Sequence, residues 1–387
     1  MKPAKAMSRL GTETAFEVLA RARALEAQGR EIVHLEIGEP DFDTPSNIVE
    51  AGGTALQQGY THYSPSAGIP ELREAIAEYT SKTRGVEVSP EQVVVTPGGK
   101  PIMFFSILAL VEEGDEVLYP NPGFPIYESM INFVGAKAVP LPLQEEREFR
   151  FDVSELADKV SPRTKMIIIN TPQNPTGSVL TKDDLEVIAQ VADEHDLVVL
   201  SDEIYERILY EGQHVSFLSL PGMQKRTILL NGFSKTYAMT GWRLGYGVMP
   251  EELAAHITRL MTNSNSCTAT FTQWAGVEAL RGSQDASYKM VAEFKRRRDV
   301  IVPGLNAIKG IRCVEPKGAF YVFPNIEGTG MNERQFADYL MEEAGVAVLA
   351  GTSFGQYGRG YIRLSYANSV ENIEKALSSI EAAVKKL

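Results

Sequence analysis

The sequence predicts an α/β protein: a three-layer αβα body around a mostly parallel sheet, with a smaller α+β unit beside it. Three observations lead there. Short, continuously apolar runs recur between residues 92 and 230, as in strands buried on both faces. Stretches of helical period and length lie between several of them. From about residue 282 the pattern changes to one long charged helix, followed by strand and helix candidates in a different order. The expected large domain is 46–281; residues 1–45 and 282–387 together form the small one.

Taken in order, residues 12–28 carry Ala, Leu, Val and Phe among Glu and Arg at helical spacing, and Gly29 stops that helix. Residues 32–35 read as a short strand, and Gly38-Glu39-Pro40-Asp41-Phe42-Asp43-Thr44-Pro45 as a turn-rich link. A short helix is expected over 47–58, and Pro70 opens another over 71–82. Between these helices, 60–68 is a loop rich in aromatic residues. Strands are expected at 92–95, 116–119, 166–169, 197–200 and 227–230, with helices over 101–110 and 182–194. Each of these strands runs into a polar or glycine-rich loop, and ligands of parallel sheets bind beyond such carboxyl ends. The loops therefore converge on one rim. Past 282, a helix bearing Arg296-Arg297-Arg298 runs toward Leu305, its arginines reading as a solvated face. Strands at 318–323, 346–349 and 361–366 and helices at 333–343 and 369–386 complete the α+β unit.

Composition narrows the function. The 387 residues carry a net charge of −12, which excludes the basic field of a nucleic-acid binder. Two cysteines, Cys267 and Cys313, make neither a disulfide framework nor a metal-ligand cluster, and suit a reducing cytoplasm. The five histidines show no metal-binding spacing, so no metal is expected. No run reaches the roughly eighteen apolar residues of a membrane span.

The stretch from Asn231 to Arg243 concentrates the chemistry. Lys235 stands just past a strand end among small, hydroxyl and aromatic residues. An amine desolvated there is partly neutral, and a neutral amine attacks carbonyls. A phosphate-binding Walker loop is excluded, because Ser234 stands where glycine must precede the lysine. The other rim loops complement a lysine-bound aromatic aldehyde. Asp202 is placed to pair with a pyridine nitrogen, or else to cap a helix. Tyr205, one helical turn on if a helix starts there, and Asn174 in its proline-rich loop could reach a ring oxygen. Gly98-Gly99-Lys100 opens a helix whose bare N–H groups suit a phosphate, with Ser234 and the planar fork of Arg243 closing the cup. Phe124 either stacks on the ring or belongs to the core. Arg363 shares a strand face with Tyr361 and Ser365; that face either meets water or clamps a substrate carboxylate.

Gly-Glu-Pro-Asp-Phe (38–42), Tyr-x-x-x-x-Gly (63–68), Gly-Gly-Lys (98–100), Asn-Pro-Gly-Phe (121–124), Asn-Pro-Thr-Gly (174–177), Ser-Asp-Glu-Ile-Tyr (201–205), Ser-Lys-Thr-Tyr-x-Met-Thr-Gly-Trp-Arg-x-Gly (234–245) and Arg-Leu-Ser-Tyr-Ala (363–367) follow one another in this order. The chain thereby resembles a class I pyridoxal-phosphate-dependent aminotransferase of fold type I, in the bacterial aspartate aminotransferase-like branch. The resemblance implies that Lys235 carries pyridoxal 5'-phosphate, that Asp202 pairs with its nitrogen, and that Tyr205 and Asn174 hold its ring oxygen. It gives the phosphate to Gly98, Gly99, Lys100, Ser234 and Arg243, and the substrate carboxylate to Gly38 and Arg363. It further implies a homodimer in which Tyr63 reaches the neighbour's phosphate site, and cis bonds at Asn121-Pro122 and Asn174-Pro175. The implied reaction is ping-pong transfer of an amino group from an L-amino acid to a 2-oxo acid, 2-oxoglutarate in particular. Lys100 goes with acidic donors in that branch; neutral or aromatic donors, or a lyase reaction on the same fold, are the alternatives. Many relatives place a tryptophan or tyrosine where this chain has Phe124, which stacks but offers the substrate no hydrogen bond.

Overall fold

The structure is a computed structural model that describes residues 1–387. The chain opens with α1 (Ala15–Glu26), a two-residue strand β1 (Val33–His34), α2 (Ser46–Gln57) and α3 (Pro70–Arg84). Pro70 occupies the first turn of α3, where its missing N–H costs nothing, and Gly85 closes that helix in the left-handed region. Strands and helices then alternate: β2 (Val93–Thr96), α4 (Lys100–Leu110), β3 (Glu116–Asn121), α5 (Pro125–Phe133), β4 (Lys137–Pro142), α6 (Leu156–Lys159), β5 (Thr164–Asn170), α7 (Lys182–Glu194), β6 (Val198–Asp202), β7 (Thr227–Gly232) and β8 (Gly245–Val248). A reciprocal Thr181–Asp184 capping box starts α7. After α8 (Glu251–Asn265), α9 (Thr270–Arg281) and α10 (Asp285–Asn306) come β9 (Tyr321–Val322), α11 (Glu333–Tyr339), β10 (Val346–Ala347), β11 (Leu349–Ala350), β12 (Ile362–Ser365) and α12 (Val370–Val384).

Seven strands form one sheet in the order β2-β8-β7-β6-β5-β3-β4. Only β8 runs against the direction of the other six strands. The fold class is therefore the expected one. Alternation along each strand feeds two helical layers. Met166 and Ile168 pack with α4, α5 and α8, while Ile167 and Ile169 face α7. Val93, Val95 and Val248 meet α3 and α9. Two strands escaped the sequence pattern. β4 carries Pro140 and Pro142, tolerated because it is an edge strand. β8 reads Gly-Tyr-Gly-Val, too poor in side chains to register as an apolar run, yet it is buried throughout.

Two short sheets, β1-β10 and β11-β12-β9, lie outside this layer system. Phe294 and Leu305 of α10, Phe320, Phe336, Leu364 and Ile380 share one core there. α1 packs Ala22 against Met341 and Ala347. The strand expected at 318–323 shrinks to β9, because Ala319 turns into the left-handed region and its carbonyl accepts the Tyr366 hydroxyl. The arginine run corrects a sequence reading. Arg296 is exposed, but Arg297 and Arg298 are buried. Arg297 bonds Asp41 and lies over the Phe42 ring; Arg298 lies over Tyr210 beside Asp299. Guanidinium groups stack on aromatic faces, so an arginine run need not be a solvated face. No helix is long and apolar enough to cross a membrane.

Candidate active site

Loops at the carboxyl ends of β2, β3, β5, β6 and β7 open on one cavity of about 960 Å³. Gly99, Lys100, Phe124, Asn174, Asp202, Tyr205, Ser234, Lys235 and Arg243 all line it. Gly38 and Arg363 line it as well, with Glu13 from the segment before α1 and Phe16 and Leu19 from α1 itself. Gly98 lies beneath Arg243: a Cβ there would come within 2.2 Å of the guanidinium, and its φ of +82° is a glycine conformation. Tyr63 is the exception, standing 89% exposed outside the cavity lining.

Lys235 opens part of its surface onto this cavity. Its amine donates to Gly38 O at 2.5 Å and lies 5.9 Å and 5.8 Å from the Tyr205 and Phe320 ring centres. Desolvation by the surrounding protein lowers its pKa to about 8, with Arg363 and Arg243 adding repulsion and Glu39 opposing it. Asp202 ends β6 and is buried. Burial raises its carboxyl to about 6, against hydrogen bonds from the Tyr127 hydroxyl (2.5 Å) and the Ile204 N–H. Asp202 thus caps no helix. No helix starts there: residues 204–207 form turns, and Tyr205 reaches the cavity from a turn, its hydroxyl 2.7 Å from that of Tyr321.

The segment between β7 and β8 carries Ala238 and Arg243 in the left-handed region, an uncommon conformation for side chains with a Cβ. It places Arg243 against the start of α4, where the Gly99 and Lys100 amides make no backbone hydrogen bond. Arg363 is buried rather than facing water. It bonds Asn174 Oδ1 at 3.2 Å and Glu36 O, lies 4.6 Å from the Tyr321 ring centre, and keeps its Nε without a partner. Burial lowers its pKa, against the pull of Tyr321, Tyr205, Glu13 and Glu36 nearby. Both Asn121-Pro122 and Asn174-Pro175 are cis, as expected, and so is Thr171-Pro172.

Sequence reasoning missed Tyr127, Tyr321, Asn170 and Glu13. Asn170 is the hub of two loops: its side chain donates to Asp202 O at 3.0 Å and accepts from the Asn174 N–H at 2.9 Å. Behind Asp202, Glu203, Glu206 and His214 converge closely enough to suggest a metal site, but Arg84 Nη2 already bridges both carboxylates.

The donor set fits a planar phosphorylated aldehyde. A partly neutral amine and a buried carboxylate share the cavity with the free amides at the start of α4, the Arg243 guanidinium beside them, and a second arginine, Arg363, that keeps an unmet N–H.

The sequence model of the family described as Aminotransferase class I and II matches residues 30–380. The chain is 46% identical to an aromatic-amino-acid aminotransferase 2 of Thermococcus litoralis, over 93% of this chain and 94% of that one. It is 45% identical to an aspartate aminotransferase of Pyrococcus horikoshii, over 95% and 94% of the two chains. Among solved structures, the aspartate aminotransferase of Rhizobium meliloti superposes with a TM-score of 0.96 at 35% identity, covering 100% of both chains.

Proposed function

The chain belongs to the class I and II aminotransferases, and from that premise we propose that it moves the amino group of an L-amino acid to a 2-oxo acid with pyridoxal phosphate held at Lys235, accepting aspartate or glutamate as donor and, for donors other than glutamate, 2-oxoglutarate as acceptor. Amino transfer between an amino acid and a 2-oxo acid is the activity of its family. The observation that carries the residue assignment is the meeting of Lys235, Asp202 and Arg363 around one cavity. When bound, the cofactor supplies an electron sink, a protonated pyridine ring that spreads negative charge from the substrate's Cα. Asp202 pairs with the ring nitrogen and keeps it protonated. Tyr205 and Asn174 hold the ring oxygen, and Phe124 covers the ring face. The amides of the Gly98, Gly99 and Lys100 turn, with Ser234 and Arg243, surround the phosphate. Arg363 fixes the substrate carboxylate, its Nε–H being without a partner in the chain. Lys235 takes the Cα proton and later returns one, a role suited to an amine poised near 8. The donor leaves as an oxo acid before the acceptor binds, so the kinetics are ping-pong.

The donor is read from the Lys100 side chain, which stays free of that role where the turn offers the phosphate only its amides, and from the relatives named for aspartate. Lys100→Ala should lower kcat/KM for aspartate far more than for alanine, by about 1–3 kcal/mol, the worth of a charge-assisted hydrogen bond. Equal losses for both donors would assign Lys100 to the cofactor instead. A neutral or aromatic donor is the second reading, favoured by the apolar Phe16, Leu19 and Phe124 walls and by the relative named for aromatic amino acids.

Assembly and location extend the same proposal. The exposed Tyr63 completes a partner's phosphate site in a homodimer, and the two free cysteines suit the cytoplasm. Residues 46–281 form the cofactor-binding domain, and 1–45 with 282–387 the small one. Tyr63→Phe is expected to weaken cofactor affinity about tenfold, the loss of one hydrogen bond to a charged group. Equilibrium dialysis checks this, and a fully active monomer in sedimentation would end the idea.

A further inference from the structure

One carboxylate in the cavity, Glu13, is used by none of these roles. Glu13 Oε1 meets Lys100 Nζ, and that nitrogen also lies 5.4 Å from the Phe124 ring centre. The Glu13 side chain is 19% exposed, against 48% for Lys100. Glu13 belongs to the segment leading into α1, the helix that brings Phe16 and Leu19 to the same cavity. Its charge also acts on Lys235, Tyr321 and Arg363, which sets the carboxylate among the groups facing substrate.

We propose that Glu13 determines donor specificity: it is a carboxylate of the chain itself, held on Lys100 where an acidic donor's side-chain carboxylate would bind. This rests on the reading of Lys100 as a wall of the donor's side-chain pocket. An acidic donor must then exchange its carboxylate for that of Glu13. One lysine–carboxylate contact is gained as another is lost, and the released Glu13 repels the newcomer. An aromatic donor leaves the pair intact and packs on Phe16, Leu19 and Phe124. The pair makes the pocket neutral toward an incoming side chain, so acidic donors lose most of the advantage that a lone lysine would give them. The same site then accepts both acidic and aromatic donors.

The test uses the holoenzyme and Glu13→Gln, which keeps the shape and removes the charge. Its kcat/KM for aspartate should rise about fivefold, the upper end for a partly exposed ion pair. Phenylalanine should change by less than about twofold. Calorimetry provides a readout independent of turnover: maleate, an unreactive dicarboxylate, should bind Glu13→Gln more tightly by a similar factor, and 3-phenylpropanoate should not. Glu13→Asp, which keeps the charge, should stay near the wild-type ratio of aspartate to phenylalanine. Aspartate and phenylalanine moving together, or aspartate falling, would overturn the proposal, and so would an unchanged ratio of maleate to 3-phenylpropanoate affinity. A wild-type enzyme that transaminates neither donor would instead sink the reading of the active site, while the calorimetric ratio still judges Glu13.

Discussion

Lys235→Ala is expected to leave a folded protein whose kcat falls by about four orders of magnitude or more. Positioned acid–base transfer alone contributes about 10²–10⁴-fold, and the covalent attachment disappears with the same amine. The remaining cavity groups are untouched, so the variant should still bind pyridoxal phosphate without a covalent link. Borohydride, which should fix cofactor to Lys235 in the wild type, should fix none in the variant. A small primary amine added to the assay should restore part of the turnover, because the variant lacks a base rather than a fold. Activity within about tenfold of wild type, far short of that acid–base contribution, would contradict the assignment. The depressed pKa has its own signature in the cofactor-free protein. Lys235 should react with amine-directed reagents at half its maximal rate near pH 8, the value set by its desolvation. Solvated lysines need a pH about two units higher.

Asp202→Asn should lower kcat/KM by about a thousandfold, in line with the roughly 3–5 kcal/mol lost when one partner of a buried charge pair is removed. The same change should stabilise the protein once cofactor is removed. In the folded chain the Asp202 carboxyl is raised from 3.8 to about 6, mainly by burial. It therefore binds its proton more tightly folded than unfolded. Its contribution to stability is complete below pH 3.8 and is lost as pH rises through about 6. At neutral pH the cofactor-free wild type carries a buried charge that asparagine avoids. Asparagine can still accept from the Ile204 N–H and donate to the Tyr127 oxygen. Cofactor-free Asp202→Asn should thus melt higher than wild type at pH 7–8, with the gap closing toward pH 4. A variant less stable than wild type at neutral pH would show that the carboxylate is a structural element rather than a functional load.

The fold class and the convergence of loops on one rim were both legible in the sequence. Continuous apolar strands ending in polar loops foretold that Lys235, Asp202, Asn174 and Gly99 would share a rim, because strand direction alone orders those ends. What stayed hidden depends on partners distant in sequence. Tyr127 reads as a helix residue of α5, and only the packing of α5 on the sheet brings its hydroxyl to Asp202, 75 positions away. Arg297 and Arg298 look solvated until Phe42 and Tyr210 cover them. β8 hides because its glycines trade side chains for close backbone approach. Glu13 sits in a helical pattern whose outward face gives no sign that it turns toward Lys100.

Lys235 and Arg243 hang from one connection between antiparallel neighbours, β7 and β8, clamped by the sheet on both sides. Glu13, Phe16 and Leu19 come from α1 and the segment leading into it, which share no hydrogen bonds with that sheet. The groups that would perform the reaction and the groups that would choose the donor are thus separate inheritable parts. Substitutions along α1 can redraw the range of accepted amino acids while the distance from Lys235 to Arg243 stays fixed, so a lineage can change its diet without relearning its chemistry.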